Sequence, residues 1–191
     1  MARDMHFACR CGALAGTLRD MEPSAFTHIR CHCRDCRAAY THLGHADPDA
    51  VGILQTSQDR VSIDRGGENL RVFRHSPRGA LRWYATCCDT PLFYTPLKAR
   101  LVHVGVNADV LSDDDDPGRV QAEGYVPDGK GGTRHKGAAR MVGRMVPRML
   151  SGNLSGSWRD TPFFADDGAP AVPPHVLTRE QRAAALMGVK A

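Results

Sequence analysis

Cys9-Arg10-Cys11-Gly12, Cys31-His32-Cys33-Arg34-Asp35-Cys36 and Cys87-Cys88 together hold all seven cysteines of the chain. Thiolates two or three residues apart can turn inward on one ion, whereas a disulfide framework scatters its cysteines to cross-link distant segments. The grouping therefore reads as metal, and zinc first. Buried free thiols are the competing reading, since unpaired cysteine packs well in cores, but clustering argues against it.

A Cys-x-Cys-Gly knuckle sets two sulfurs on one side of a tight turn, and its glycine lets backbone amides fold back toward them. Cys9, Cys11 and Gly12 fit that geometry. Two ligands do not close a tetrahedral zinc site, so a second pair must come from elsewhere, and Cys87-Cys88 is the candidate. A site that joins an N-terminal knuckle to a distant strand end would stitch a sheet together. The middle cluster differs, because one short segment supplies three thiolates. Three protein ligands with a vacancy is the coordination of catalytic zinc, where metal holds a substrate thiolate or activates a bound water. Without metal, neighbouring thiols in this cluster can oxidise in pairs, so a disulfide is the competing state. His32, between two cysteines of the knuckle, is expected to point away from the sulfurs.

The rest of the chain sets the frame. A length of 191 residues suits one domain, or one domain with a long appendage, and buries a core without needing cross-links. The start carries no apolar run of signal-peptide length, and no stretch is long and apolar enough to span a bilayer, so a cytoplasmic protein in a reducing compartment is expected. The balance of 25 basic against 21 acidic residues, net +4, lacks the basic footprint of a nucleic-acid binder.

From Phe7 to Leu111 short β-rich segments alternate with turns: Val51–Leu54, Val61–Ile63, Leu70–Phe73 and Leu101–Val106, with Arg65-Gly66-Gly67-Glu68-Asn69 as one of the turns. One helix interrupts them, over Arg34–Leu43, with Cys36 in its first turn, where a thiol's pKa is lowered. These residues make a mainly β, zinc-binding domain over 1–111. A C-terminal extension over 112–191 is expected to pack on it. It opens on the acidic run Asp113–Asp116, read as a solvated loop. A helix follows from Arg134, in which Met141, Met145 and Met149 form a buried seam, Arg140, Arg144 and Arg148 a solvated flank, and Pro147 a kink or end. Trp158, Phe163 and Phe164 anchor an irregular strap. Thr178-Arg179-Glu180-Gln181 is a capping box opening a last helix to Met187. His103 is assigned to the core.

The three cysteine blocks, with Leu81-Arg82-Trp83-Tyr84 ahead of Cys88-Asp89-Thr90-Pro91-Leu92-Phe93, resemble the glutathione-dependent formaldehyde-activating enzyme family, which includes centromere protein V. The resemblance covers roughly the first 105 residues and rests on three ordered blocks at matching spacing. It implies a β-tent of small antiparallel sheets around zinc, with Cys9, Cys11 and Cys88 as structural ligands and Cys31, Cys33 and Cys36 as the catalytic set. In one place the chain departs from the pattern. Ala85 stands where the family has the first cysteine of its last pair, and Cys87, displaced by two residues, is the candidate to replace it. Asp89 stands in place of a glycine and tolerates a left-handed backbone better than most residues. The implied chemistry joins formaldehyde to glutathione, a carbon–sulfur lyase or transferase activity on thiol adducts of small aldehydes. The alternative is a noncatalytic zinc-stabilised module that holds a protein partner through its C-terminal region.

Overall fold

The computed structural model describes residues 3–190. In chain order its elements are β1 (Met5–Ala8), β2 (Ala15–Leu18), β3 (Thr27–Cys31), α1 (Arg34–His42), β4 (Val51–Thr56), β5 (Val61–Arg65), β6 (Leu70–Arg74), β7 (Leu81–Ala85), β8 (Thr90–Thr95), β9 (Val104–Asn107), β10 (Ala122–Pro127), β11 (Thr133–Lys136), α2 (Ala138–Ser155), β12 (His175–Val176) and α3 (Arg179–Met187). The protein is mainly β. A three-stranded antiparallel sheet, β1-β2-β5, faces a mixed nine-stranded sheet of order β11-β10-β3-β4-β9-β8-β7-β6-β12, in which β10–β3 and β12–β6 are parallel. No helix among the described residues is long and apolar enough to cross a membrane.

The core lies between the sheets. Phe7 and Leu18 of the small sheet meet Leu54, Leu81, Trp83, Leu92, Val104 and Val106 of the large one. The opposite face of the large sheet is covered by α1, whose Cys36 and Tyr40 pack on Ile29, Val51 and Ile53. Strands covered on both faces lose the clean alternation of a half-exposed sheet, and all but one residue of β4 are buried. Gly105 in β9 is required by its neighbour, because a Cβ there would stand 1.9 Å from the Tyr94 ring. Tyr94 thereby lies flat across the sheet and reaches His103.

The C-terminal residues supply both edges of the large sheet. β10 and β11 extend it beyond β3, and β12 pairs with β6. Trp158, Phe163 and Phe164 are buried, with Phe163 5.2 Å from the rings of both Trp83 and Phe93. α3 opens on the capping box at Thr178 and Gln181 and lays Ala185 on Ala38 of α1. Arg37 of α1 then ties down the chain end. Its guanidinium donates to Asp47 Oδ1 at 2.8 Å and to the Lys190 carbonyl at 3.1 Å, and it holds the Asp47 carboxyl at about 2.

Two expectations for α2 fail. The helix starts only at Ala138, because Thr133–Lys136 continue the β10 hairpin, and it runs through Pro147 to Ser155. Arg144 and Arg148 also turn inward, while Met141, Met145 and Met149 are only half-buried. Arg144 Nη1 donates to the Phe26 carbonyl and Gln121 Oε1, both at 3.1 Å, and Arg148 Nη2 to Thr27 Oγ1 at 3.3 Å. Long basic side chains satisfy open carbonyls while their stems cover apolar surface. Asp115, read as part of a solvated run, is buried and accepts the His6 N–H.

His103 is buried just before β9, its Nε2 3.2 Å from the Tyr94 hydroxyl. Burial, helped by the nearby Arg148 charge, pushes its pKa down to about 4. The unfolded chain, with the ordinary histidine value near 6.5, therefore binds a proton that the folded state refuses. Stability is whole above that value and falls as pH drops from 6.5 toward 4, by about 2 kcal/mol between pH 7 and pH 5. Denaturant melts at those two pH values should show the parent losing that much more than His103→Gln. Equal losses would place the histidine in water.

Candidate metal centres

Each cysteine group is assembled from elements the sequence brings together for separate reasons. At the first, Gly12 takes φ 74° and its N–H returns to the Cys9 carbonyl at 2.8 Å, while the Leu14 N–H donates to Cys9 Sγ at 3.3 Å. This is the knuckle expected from the sequence, and the amide stabilises a thiolate. The second pair sits in the turn between β7 and β8. Asp89 turns that chain with φ 53°, the left-handed backbone the resembled pattern gives to glycine. The Arg10 N–H to Thr90 Oγ1 and Arg10 Nη2 to the Cys88 carbonyl, both at 3.1 Å, fix the knuckle against the turn.

The four sulfurs then meet. Cys9 Sγ lies 3.6 Å from Cys11 Sγ and from Cys87 Sγ, Cys11 to Cys87 is 3.4 Å, and Cys87 to Cys88 is 3.9 Å. Four sulfurs about 2.3 Å from a common centre stand about 3.8 Å apart, so these separations are close to the edges of a tetrahedral metal site. Cys87 lies in this group despite its displaced spacing and shares the short contacts with both knuckle sulfurs. Burial opposes ionisation of Cys88, yet hydrogen bonds from Thr90 Oγ1 and from Cys11 bring its pKa down to about 6.

The second group is Cys31, Cys33 and Cys36, whose sulfurs lie within 4.8 Å of one another. Cys31 ends β3, and Cys33 is the N-cap of α1, its sulfur accepting the Cys36 N–H at 3.3 Å. Of the three, Cys36 has the lowered pKa. Hydrogen bonds from Cys31 and Cys33 lower its pKa well below the usual thiol value, against its burial, and Arg82 adds its charge. His32 turns away, its Nε2 3.4 Å from Glu123 Oε2. All seven cysteines are unbridged.

Arg82 is the residue that reading the cysteines alone misses. Its Nη1 donates to Cys36 Sγ at 3.5 Å, its guanidinium stacks 5.5 Å from the Tyr94 ring centroid, and its enclosed Nε has no partner. None of the ion pairs among the described residues includes it. A cation taken from water needs a compensating charge, and here the sulfurs supply it. A divalent ion held by three thiolates would leave one net negative charge, which one guanidinium would neutralise. Nothing local in the sequence signals it, because Leu81-Arg82-Trp83-Tyr84-Ala85 alternates as a half-exposed strand does and Arg82 falls in the outward phase.

The two groups differ in what they face. The four-sulfur group is complete in its own ligands. The three-sulfur group opens through Cys33 into a cleft of about 830 Å³, bounded by His32, Arg34, Tyr125, the Gly-rich turn of the β10–β11 hairpin, and Lys190.

Fold and sites together define a mainly β protein with two cysteine groups positioned to hold a metal ion, one closed and one open. The chain belongs to a family of unknown function, DUF6151, which its residues 1–168 match. No curated protein matches it. Among solved structures, a crystal structure of a Rhodobacter sphaeroides protein is similar at 24% identity and a TM-score of 0.44, over 61% of this chain and 97% of that one.

Proposed function

We propose that the chain is a cytoplasmic zinc-dependent carbon–sulfur lyase or transferase acting on thiol adducts of small aldehydes, glutathione adducts among them, on a divergent β-tent of the glutathione-dependent formaldehyde-activating kind. One observation carries this reading: the group with one ligand too few is the group that opens into a cleft. Zinc, when bound, supplies a Lewis acid that keeps a substrate sulfur ionised at neutral pH. Cys31, Cys33 and Cys36 would hold it, Arg82 would balance their charge, and Arg34 and Lys190 at the rim suit the carboxylates of a glutathione-like thiol. In the forward direction the thiolate sulfur bonds to the carbonyl carbon, and the π pair moves to oxygen. That oxygen takes up the proton the thiol released to solvent, and the lyase direction reverses these steps.

Cys33→Ser should keep the fold and the four-sulfur centre while abolishing turnover of formaldehyde with glutathione. Cobalt-substituted protein titrated with millimolar glutathione should change its sulfur-to-metal absorption in the parent only. No change in the parent, together with no turnover, would favour the noncatalytic module. That second reading has its own support in α2, whose outer face shows Val142, Val146, Leu150 and Leu154 at one-turn spacing, Leu154 being 89% exposed.

A further inference from the structure

β10 runs parallel to β3 as far as Gly124, which pairs with Cys31 and accepts the His32 N–H at 2.9 Å. The next residue bulges the strand. Tyr125 has φ 56°, a left-handed backbone that a bulky side chain rarely adopts, and it does so inside a strand where no turn demands it. Pairing with β11 slips here, from Glu123↔Lys136 to Val126↔Arg134, so β10 carries an extra residue. Such bulges re-aim a side chain, and strained non-glycine residues collect at functional sites.

The bulge aims Tyr125 at the cleft that Cys33 opens into. His135 of β11 holds it there, accepting the Tyr125 N–H on Nδ1 at 3.3 Å and stacking edge-on at 4.8 Å. The strain is not repaid by packing, since Tyr125 stays 48% exposed. Partial burial raises the pKa of its hydroxyl. The phenol therefore keeps its proton at neutral pH and is available as a hydrogen-bond donor beside the open site.

We propose that Tyr125 is a catalytic residue of the three-cysteine site, its O–H donating a hydrogen bond to the oxygen on the sulfur-linked group of the bound adduct. This rests on the proposed function and adds a donor placed where charge develops as the carbonyl π pair moves to oxygen. Specificity follows, because the site would prefer sulfur ligands that carry an oxygen within reach of the phenol.

The test uses cobalt-loaded full-length protein and two simple thiols, 2-mercaptoethanol and ethanethiol, titrated by absorption. The readout is how the ratio of their affinities changes on mutation, which cancels their different intrinsic basicities. Tyr125→Phe should lower the preference for 2-mercaptoethanol roughly fivefold and leave ethanethiol binding unchanged. If both thiols bind and the ratio does not move, the role of Tyr125 is wrong while the proposed function stands. If neither thiol perturbs the spectrum of the parent, both readings fall. Tyr125→Gly separates function from structure: it should raise the melting temperature by relieving the backbone and lose the same preference. A lower melting temperature would mark a tyrosine kept for packing and overturn the proposal.

Discussion

Cys87→Ser is expected to remove one equivalent of metal and several kcal/mol of stability, as much as Cys9→Ser. Binding at a structural zinc site is itself folding free energy, of order 10 kcal/mol in small domains. Here the ion would join the loop after β1 to the β7–β8 turn, segments 78 residues apart in the chain. A serine at this position removes the sulfur that lies 3.6 Å from Cys9 Sγ and 3.4 Å from Cys11 Sγ, and leaves three ligands where four are needed for closure. The sulfur contacts also rank the pair: Cys87 touches both knuckle sulfurs, so it should matter no less than Cys88, which the resembled pattern would have favoured. Metal content and thermal melts of the serine variants, prepared under reducing conditions, measure this. A Cys87→Ser protein that melts with the parent and keeps its metal would leave Cys9, Cys11 and Cys88 as the ligands.

How much of this was legible depended on whether the information was local. The two thiolate groups were readable because ligand spacing is a short-range property, α1 because a run of good helix formers follows the second cysteine cluster, and α3 because the capping box at Thr178 marks its start. The strands β10–β12 were not. β11 is exposed throughout and shows no apolar alternation, β12 has two residues, and β10 contains Gly124 and the left-handed Tyr125, so none carries a strand's period. Their pairing is decided by the edges of a sheet formed from earlier residues. The inward turn of Arg144 and Arg148 is likewise set by carbonyls and side chains of residues 26, 27 and 121, which a helical pattern cannot reveal. The same limit holds at the open site. Its cysteines are spelled out in six residues, whereas Arg82 and Tyr125 arrive from strands more than forty residues further along the chain, and only the register of β7 and the bulge of β10 aim them at it.

Phe163→Ala is the second large effect, because it tests whether the C-terminal strap is part of the core that carries both sites. The ring is wholly buried, 5.2 Å from Trp83 on β7 and from Phe93 on β8, the two strands whose connecting turn holds Cys87 and Cys88. Trp83 is itself fixed from behind by its Nε1 bond to Thr95 Oγ1 at 3.0 Å, so it has little freedom to collapse into the space left. Truncating a buried phenylalanine in so rigid a setting costs about 3–5 kcal/mol. For a chain of this size that lowers the melting temperature by roughly 10 °C. Phe163→Leu, which keeps most of the volume, should lose less than about 1.5 kcal/mol. Leu154→Ala, on the exposed face of α2, should stay within about 0.5 kcal/mol of the parent. Denaturant unfolding of the three variants measures the order. If Phe163→Ala were no worse than Leu154→Ala, the strap would be a cover laid over a core that stands without it, and residues beyond it could be removed without disturbing either cysteine group. A large loss accompanied by release of metal from the four-sulfur centre would instead mean that the strap and the β7–β8 turn unfold as one unit.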